Sequence, residues 1–343
     1  MILCAEYFDY LLLIHPLYMN HPAVRYVYDV APQIPTLLFS VAYYAVAVMG
    51  LFVVLMLEQN HRNNQHTLED MMGSSLRGGI ELGTFLFLGN ALQVFGLRTV
   101  PSDRAAFLLQ LTTIFVPFLQ AVLSGSLTSI SNRVWFASFA ALAGVAILSL
   151  DGADSESVSF MTGDPLIIGA ALLYTFHCVR LEVYAKTTSA VQLALTKAVT
   201  ELSLSIIAVV TLVLGSDFLG EDSPSSVATS CASSGEAIKT FLSNFSQTLR
   251  TGNYQGLLAA GAATTWIGLV TVAYTICAQS YGQKYVEAAK ANLIYTTQPL
   301  YTALFAWILL GETLGPQGYF GGIVLLLAVL LVTLDGSNPE KER

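Results

Sequence analysis

The chain has 343 residues, of which 54% are hydrophobic and only 11% are charged. A soluble domain usually has about 25% charged residues, so this composition indicates an integral membrane protein. The formal net charge of −8 and the lack of a basic patch or phosphate-binding loop argue against a nucleic-acid partner. The four cysteines are scattered and predict neither a disulfide framework nor a zinc site.

Nine apolar segments are long enough to cross the hydrocarbon core, which needs about 20 helical residues. We expect helices, because lipid offers exposed backbone groups no hydrogen-bond partner. A weaker segment, Ile2–Leu17, precedes them, and no cleavable signal peptide is expected there. In chain order the nine segments are Ile34–Leu57, Gly78–Leu97, Ala105–Leu123, Val134–Leu150, Pro165–Val183, Ala190–Leu214, Gly256–Tyr281, Ala291–Leu310 and Gln317–Leu334.

The long Ser-rich connection Gly215–Asn253 predicts a flexible insert exposed to solvent. The distribution of Lys and Arg predicts the orientation of the spans. With ten spans and a cytoplasmic N-terminus, the inner segments contain nine Lys and Arg residues and the outer segments five. The C-terminus is therefore expected in the cytoplasm, and the insert outside the cell or in a lumen.

Two stretches that lie 186 positions apart, residues 91–125 and 277–311, resemble each other. Gln93 matches Gln279 without a gap, as do two glycines and one basic position. Five helices in each half give the halves opposite orientations, an arrangement that places a substrate site at their interface near the bilayer midplane. The expected units are a first repeat over 1–151, a second over 164–335 with the polar insert at 215–253, and a tail at 336–343.

Polar residues and prolines interrupt the matching spans of both repeats. A proline and buried amides are tolerated in a membrane helix that lines a polar cavity. Pro117 and Pro299 lie in such interrupted spans. The candidate substrate-binding residues are Asn90, Gln93, Gln110, Thr113, Tyr174, His177, Tyr274, Gln279, Asn292, Tyr295 and Gln298.

The alternative for these polar residues is hydrogen bonding between packed helices, which contributes about 0.6 kcal/mol on average. For His177 the alternative is a packing role. Lys197 and Glu201 form the expected charge pair at i,i+4 spacing, and each costs about 2.5–3.5 kcal/mol at a helix centre. Lys197 and Glu201 either neutralise each other in a structural ion pair, or act as a charge relay or as counter-ions of the substrate.

At residues 83–123 and 278–328 the sequence resembles the drug/metabolite transporter superfamily, of the EamA-domain type. The second stretch contains Pro299, then Leu310-Gly311-Glu312, then Gly321 and Gly322. The resemblance implies an all-α integral membrane protein, a ten-helix bundle of two inverted five-helix EamA repeats. It also implies transport of small organic solutes and cytoplasmic termini.

We therefore expect a secondary transporter that moves a neutral or zwitterionic metabolite, such as an amino acid, nucleobase or aromatic compound, by alternating access. Phosphate substrates favour Arg or Lys clamps, and the final span contains neither. Enzyme motifs are absent from the sequence, and no cofactor is expected. The expected partners are a small-molecule substrate and the lipid bilayer.

Several alternatives stay open at this point. The weak first segment suggests a non-transporting membrane scaffold or partner-binding subunit as the alternative function. A homodimer is compatible with the sequence. The membrane can be the plasma membrane, the plastid envelope or an endomembrane.

Overall fold

The computed structural model describes residues 34–61, 68–126, 128, 130–149, 162–216, 226–251, 255–301 and 315–333. Every regular element in these ranges is helical. The predicted segment Ile2–Leu17, the tail, and most of the second half of Ala291–Leu310 lie outside the described residues. The elements are α1 Thr36–His61, α2 Leu68–Gly96, α3 Ser102–Leu109, α4 Thr112–Leu123, α5 Asn132–Ser149, α6 Asp164–Thr187, α7 Ala190–Gly215, α8 Ser226–Thr251, α9 Gln255–Trp266, a π-helix Ile267–Tyr274, α10 Thr275–Gly282, α11 Ala288–Tyr295 and α12 Pro316–Thr333.

The helices have the length and composition of membrane spans. Among the described residues, five stretches are long and apolar enough to cross a bilayer, and two shorter helices are also apolar. Large apolar side chains point outward, and Phe136, for example, is 68% exposed. This confirms the predicted all-α membrane class. The five stretches are Leu37–Glu58, Arg104–Leu123, Asp164–Thr187, Ala190–Gly215 and Ala260–Gly282, and the shorter helices are Asn132–Leu148 and Pro316–Val332.

The helix boundaries repeat at the offset found in the sequence. α3 spans Ser102–Leu109 and α11 spans Ala288–Tyr295, so both ends differ by 186 positions. The residue before each helix has the same extended backbone, with φ −57° and ψ 148° at Pro101 and φ −59° and ψ 147° at Glu287. The two stretches therefore share backbone geometry as well as sequence.

Each of these matched helices is interrupted at the same place. A turn at residues 110–111 separates α3 from α4, and a turn at residues 296–297 separates α11 from the helical residues 298–301. In the turns the backbone uses tighter hydrogen bonds, such as Leu111 N–H to Leu108 O and Thr297 N–H to Ile294 O. The first break ends six residues before Pro117, which lies within α4, and the second ends two residues before Pro299.

The first interrupted segment, α3 and α4, packs antiparallel to the second, which begins with α11. Gln120, near the C-terminal end of α4, accepts a hydrogen bond from the backbone N–H of Ala289, at the N-terminal end of α11. Val116, one turn before Gln120, and Leu293, one turn after Ala289, share a buried cluster. This crossing agrees with inverted repeats, and the repeat bounds 1–151 and 164–335 stay a prediction.

The helices α5 and α12 pack together through two glycines. A Cβ atom on Gly144 would lie 2.8 Å from Gly321 O, and one on Gly321 would lie 2.6 Å from Gly144 O. Such close backbone contact is how membrane helices gain packing energy without a hydrophobic driving force. This crossing joins the two halves of the chain, because α5 lies in the first half and α12 in the second.

The insert contains a regular helix, so the expectation of a flexible segment is wrong for residues 226–251. α8 has 26 residues and packs against α7. Ile238 is 1% exposed, and a Cβ atom on Gly235 would overlap the backbone carbonyl of Leu212. The Ser-rich composition conceals apolar residues that recur every three or four positions, and this spacing gives the helix one face to bury.

Candidate functional site

Three of the predicted polar residues meet between α2 and α6. The Tyr174 hydroxyl lies 2.7 Å from Asn90 Oδ1 and 2.8 Å from Gln93 Oε1. A phenol has one hydrogen to donate, so one of the two amides must present its NH2 group to the phenol oxygen instead. The interaction therefore links one aromatic hydroxyl to two amides with hydrogen-bonding capacity to spare.

Two buried charged residues of α7 lie next to helices α6 and α1. Lys197 is 0% exposed, and its Nζ lies 3.0 Å from His177 Nε2. Glu201 is 2% exposed, and its Oε1 accepts a hydrogen bond of 3.1 Å from the Tyr44 hydroxyl. Since the Lys197 ammonium has only donors, His177 Nε2 must be the unprotonated nitrogen of a neutral ring.

Lys197 and Glu201 do not hydrogen-bond to each other, although one helical turn separates them. The Lys197 ammonium contacts His177, and Glu201 Oε2 is buried without any hydrogen-bond partner. A structural ion pair would have placed the ammonium on this oxygen. The observed geometry leaves an acceptor open in a low-dielectric interior.

These two groups of residues form one polar strip. Tyr174 and His177 are three positions apart on α6, so they lie on the same face of that helix. The strip crosses α2, α6, α7 and α1. It is buried at Tyr44, His177, Lys197 and Glu201, partly buried at Gln93 and Tyr174, and exposed at Asn90. We use the term polar strip for Tyr44, Asn90, Gln93, Tyr174, His177, Lys197 and Glu201.

A second set of predicted residues lies where α3 and α4 meet α11. Gln110 caps the C-terminal end of α3 at the break between α3 and α4. Thr113 Oγ1 and Asn292 Nδ2 are both buried without a hydrogen-bond partner. Tyr295 packs against the core beside α4, and Gln298 is partly buried where the helix resumes. The crossing thus presents open donors and acceptors inside the bundle.

The structure does not join the remaining two candidates to either set. Tyr274 ends the π-helix and is 39% exposed. Gln279 is partly buried on α10. Within the described residues, neither side chain hydrogen-bonds to another candidate. Their predicted role in substrate binding stays a prediction.

Sequence reasoning missed a polar contact at the N-terminal end of α11. Glu182 Oε2 accepts hydrogen bonds from Ala288 N–H at 2.8 Å and from Gln120 Nε2 at 2.7 Å. Gln120 Oε1 accepts one from Ala289 N–H at 3.0 Å. We call Gln120, Glu182 and these two amides the α11 clasp. It satisfies amides that a helix start leaves without a partner, and it ties α4, α6 and α11 together.

A different contact ties α6 to the first repeat at its other end. Arg104 Nη2 and Asp164 Oδ2 are 2.5 Å apart, and Arg104 Nε lies 3.2 Å from Asp164 Oδ1. Asp164 and Glu182 are separated by about 27 Å along the helix axis, at roughly 1.5 Å per residue. That length is close to the thickness of a hydrocarbon core, and the two contacts fix α6 to the first repeat at both ends of its candidate span.

Apolar helical repeats with a polar strip that has buried charged residues are typical of a multi-pass membrane transport protein. The model of the EamA-like transporter family matches residues 206–334. The permease-like protein YdzE of Bacillus subtilis (strain 168) is 34% identical over 76 residues, which are 22% of this chain and 97% of that relative. The chain belongs to the EamA-like transporter family, within the drug/metabolite transporter superfamily.

A solved crystal structure has the same fold. Its chain is 14% identical to this one and superposes with a TM-score of 0.65. The likeness covers 97% of this chain and 96% of that chain. At this identity the comparison concerns the arrangement of helices.

Proposed function

We propose that this protein is a secondary transporter that moves a neutral or zwitterionic organic metabolite by alternating access. The observation that carries the proposal is the polar strip, which brings a buried ammonium and a buried carboxylate close to two amides and two phenols on membrane helices. Polar groups at that depth are costly, and they mark substrate or ion pathways in membrane proteins.

The composition of the strip favours a substrate with both donors and acceptors. Tyr174 leaves part of the hydrogen-bonding capacity of Asn90 and Gln93 free. Lys197 and Glu201 supply opposite charges one turn apart, which suits a zwitterion such as an amino acid. Amides can also recognise the edges of nucleobases, and the tyrosines can stack on aromatic metabolites.

The crossing of α4 with α11 supports the same path. Thr113 and Asn292 come from opposite repeats, and each carries a buried polar atom without a partner. Such atoms cost about 1–3 kcal/mol when nothing binds them, so a protein retains them where a ligand or water completes the hydrogen bond during function. A site between inverted repeats is also where secondary transporters bind substrate.

The test is uptake of labelled metabolites into liposomes that contain the purified protein. Amino acids, nucleobases and aromatic metabolites are screened one class at a time, with empty liposomes as the blank. We expect saturable uptake of one class. Folded protein that shows no saturable flux with any class contradicts the proposal and favours the membrane scaffold.

The variant Tyr174→Phe tests whether the strip lines the path. It leaves the two amides without the phenol, and we expect roughly ten-fold lower flux, since about 1.4 kcal/mol corresponds to a factor of ten. The matched control is Tyr319→Phe on the exposed surface of α12, which should keep normal flux. Equal flux for both variants would exclude Tyr174 from the path.

A further inference from the structure

We propose that Glu201 is a proton-binding site that couples transport to the pH gradient across the membrane. The proposal rests on the transport function above and adds the coupling ion to it. Glu201 lies on α7 inside the bundle and receives one hydrogen bond, from Tyr44 to Oε1. Its second oxygen, Oε2, is buried without a partner.

The enclosure of Oε2 indicates which ligand completes the site. An ionised carboxylate needs hydrogen bonds or a counter-charge at both oxygens when it is removed from water. The protein surrounds Oε2 so closely that no solvent reaches it. In the conformation described, an ammonium group or a metal ion has no space beside this oxygen, whereas a proton needs only a bond to it; a substrate ammonium would reach Glu201 only after the site opens.

Lys197 controls the charge of this site without occupying it. Its ammonium is held by His177 one turn from Glu201, so it does not neutralise Oε2 by direct contact. It can still compensate for part of the carboxylate charge through space, because attraction between charges is strong in a low-dielectric interior. The site therefore changes from net zero, with Glu201 ionised, to a single positive charge, with Glu201 protonated.

The titratable groups on the elements that pack against α7 leave this role to Glu201. On α2, Glu81 is bound by Arg180 of α6, and on α8, Glu236 pairs with Lys239. On α1, Glu58 lies 14 positions from Tyr44, about 21 Å along the helix, and interacts with Cys277 instead. The groups nearer the Glu201 carboxylate are phenols, thiols and the His177 ring. They are Tyr43 and Tyr44 on α1, Tyr174, His177 and Cys178 on α6, Tyr274 on the π-helix and Cys277 on α10.

The proposed step is a proton transfer without electron transfer. Glu201 carboxylate takes a proton from water on the side to which the site is open, and forms a neutral carboxylic acid. After the repeats exchange conformations, the acid releases the proton to water on the other side. One proton thus crosses the membrane for each cycle, and the acid and carboxylate forms favour different stages of the cycle.

The first experiment detects the proton without any transport substrate. Infrared difference spectra between acid and alkaline pH are recorded on the purified full-length protein in liposomes. We expect the carbonyl band of a buried carboxylic acid, at higher frequency than a hydrated acid because water does not hydrogen-bond to it. Glu201→Gln should lose this band, and the exposed control Glu236→Gln should keep it. A band that persists in Glu201→Gln overturns the proposal.

A second variant keeps the test decisive if Glu201→Gln does not fold. Tyr44→Phe retains the carboxyl group and removes its hydrogen-bond donor, so the carbonyl band should move to higher frequency. The same change at exposed Tyr319 should leave the band in place. A band that does not respond to Tyr44→Phe belongs to another group and overturns the assignment.

The second experiment measures coupling with the metabolite found in the liposome screen. A pH gradient should drive accumulation by the wild-type protein, and Glu201→Gln should lose at least ten-fold of that accumulation and show a flat pH profile. If Glu201→Gln removes the band but the wild-type protein transports no metabolite, the proton site is supported and the transport proposal is refuted. Metabolite flux that does not depend on pH, with no such band, would refute only the proton site.

Discussion

The α11 clasp should control how often the N-terminal end of α11 separates from α4 and α6. Glu182→Ala removes the carboxylate that accepts hydrogen bonds from Ala288 N–H and Gln120 Nε2. Hydrogen bonds to a charged group contribute about 1.5–3 kcal/mol, and Glu182 is only 13% exposed. A loss of about 2 kcal/mol would raise the separated population roughly thirty-fold.

A native cysteine behind the clasp can report this opening. Cys178 is buried, with its Sγ 3.7 Å from Ala288 O and 3.1 Å from Gln283 Nε2. In a background where the other three cysteines of the chain are serine, maleimide labelling measures the exposure of Cys178 alone. We expect Glu182→Ala to label up to about thirty times faster than the background protein when opening limits the reaction.

The matched control is Glu81→Ala, which removes another carboxylate that accepts several hydrogen bonds. Glu81 accepts hydrogen bonds from Arg180 and from the Tyr184 hydroxyl, at 2.5–2.9 Å, and ties α2 to α6 without contacting α11. Glu81→Ala should therefore leave the labelling rate of Cys178 unchanged. The reasoning is refuted if Glu182→Ala labels no faster than the background, or if Glu81→Ala labels equally fast.

Three other outcomes are expected. Gly321→Leu should lower the melting temperature and the yield of folded protein, because its side chain meets Gly144 O, whereas Gly261→Ala should be neutral because its Cβ meets nothing within 4 Å. Asn292→Ala should reduce metabolite flux at an unchanged melting temperature, since Asn292 Nδ2 has no partner to lose; an unfolded variant would assign it to packing. Tags at the C-terminus and near Ser233 should label from opposite sides of the membrane in intact cells, and labelling from one side would exclude the ten-span arrangement.

The helix breaks show what the sequence could predict. Gln93 and Gln279 aligned the repeats, and the same offset relates the ends of α3 and α11 in the structure. The polar residues that interrupt both apolar segments could be read from the sequence, but the position of the first break, at Gln110–Leu111, could not, since Pro117 lies within α4. Asn90, Gln93 and Tyr174 could be proposed for the same reason, as polar residues at three-residue spacing in apolar spans.

The partners of these residues required tertiary structure. Lys197 bonds to His177, which is 20 positions away on another helix, and Glu201 bonds to Tyr44, which is 157 positions away. Helical spacing favoured a contact between Lys197 and Glu201, because it considers only one helix. Glu182 was missed because it lies at the end of an apolar segment, where a charge is ordinarily exposed to water.

The repeat symmetry has a consequence for the resting orientation of the transporter. If the two halves were identical, the inward-open and outward-open forms would have equal energy. Exchanging the conformations of the two halves would convert one form into the other. The repeats differ in their ion pairs: Arg104 pairs with Asp164 of α6, whereas its repeat mate Lys290 pairs with Glu287, three positions earlier in its own segment. This difference removes the degeneracy. A gap of only about 1.4 kcal/mol between the two forms would keep ten molecules in one orientation for each molecule in the other.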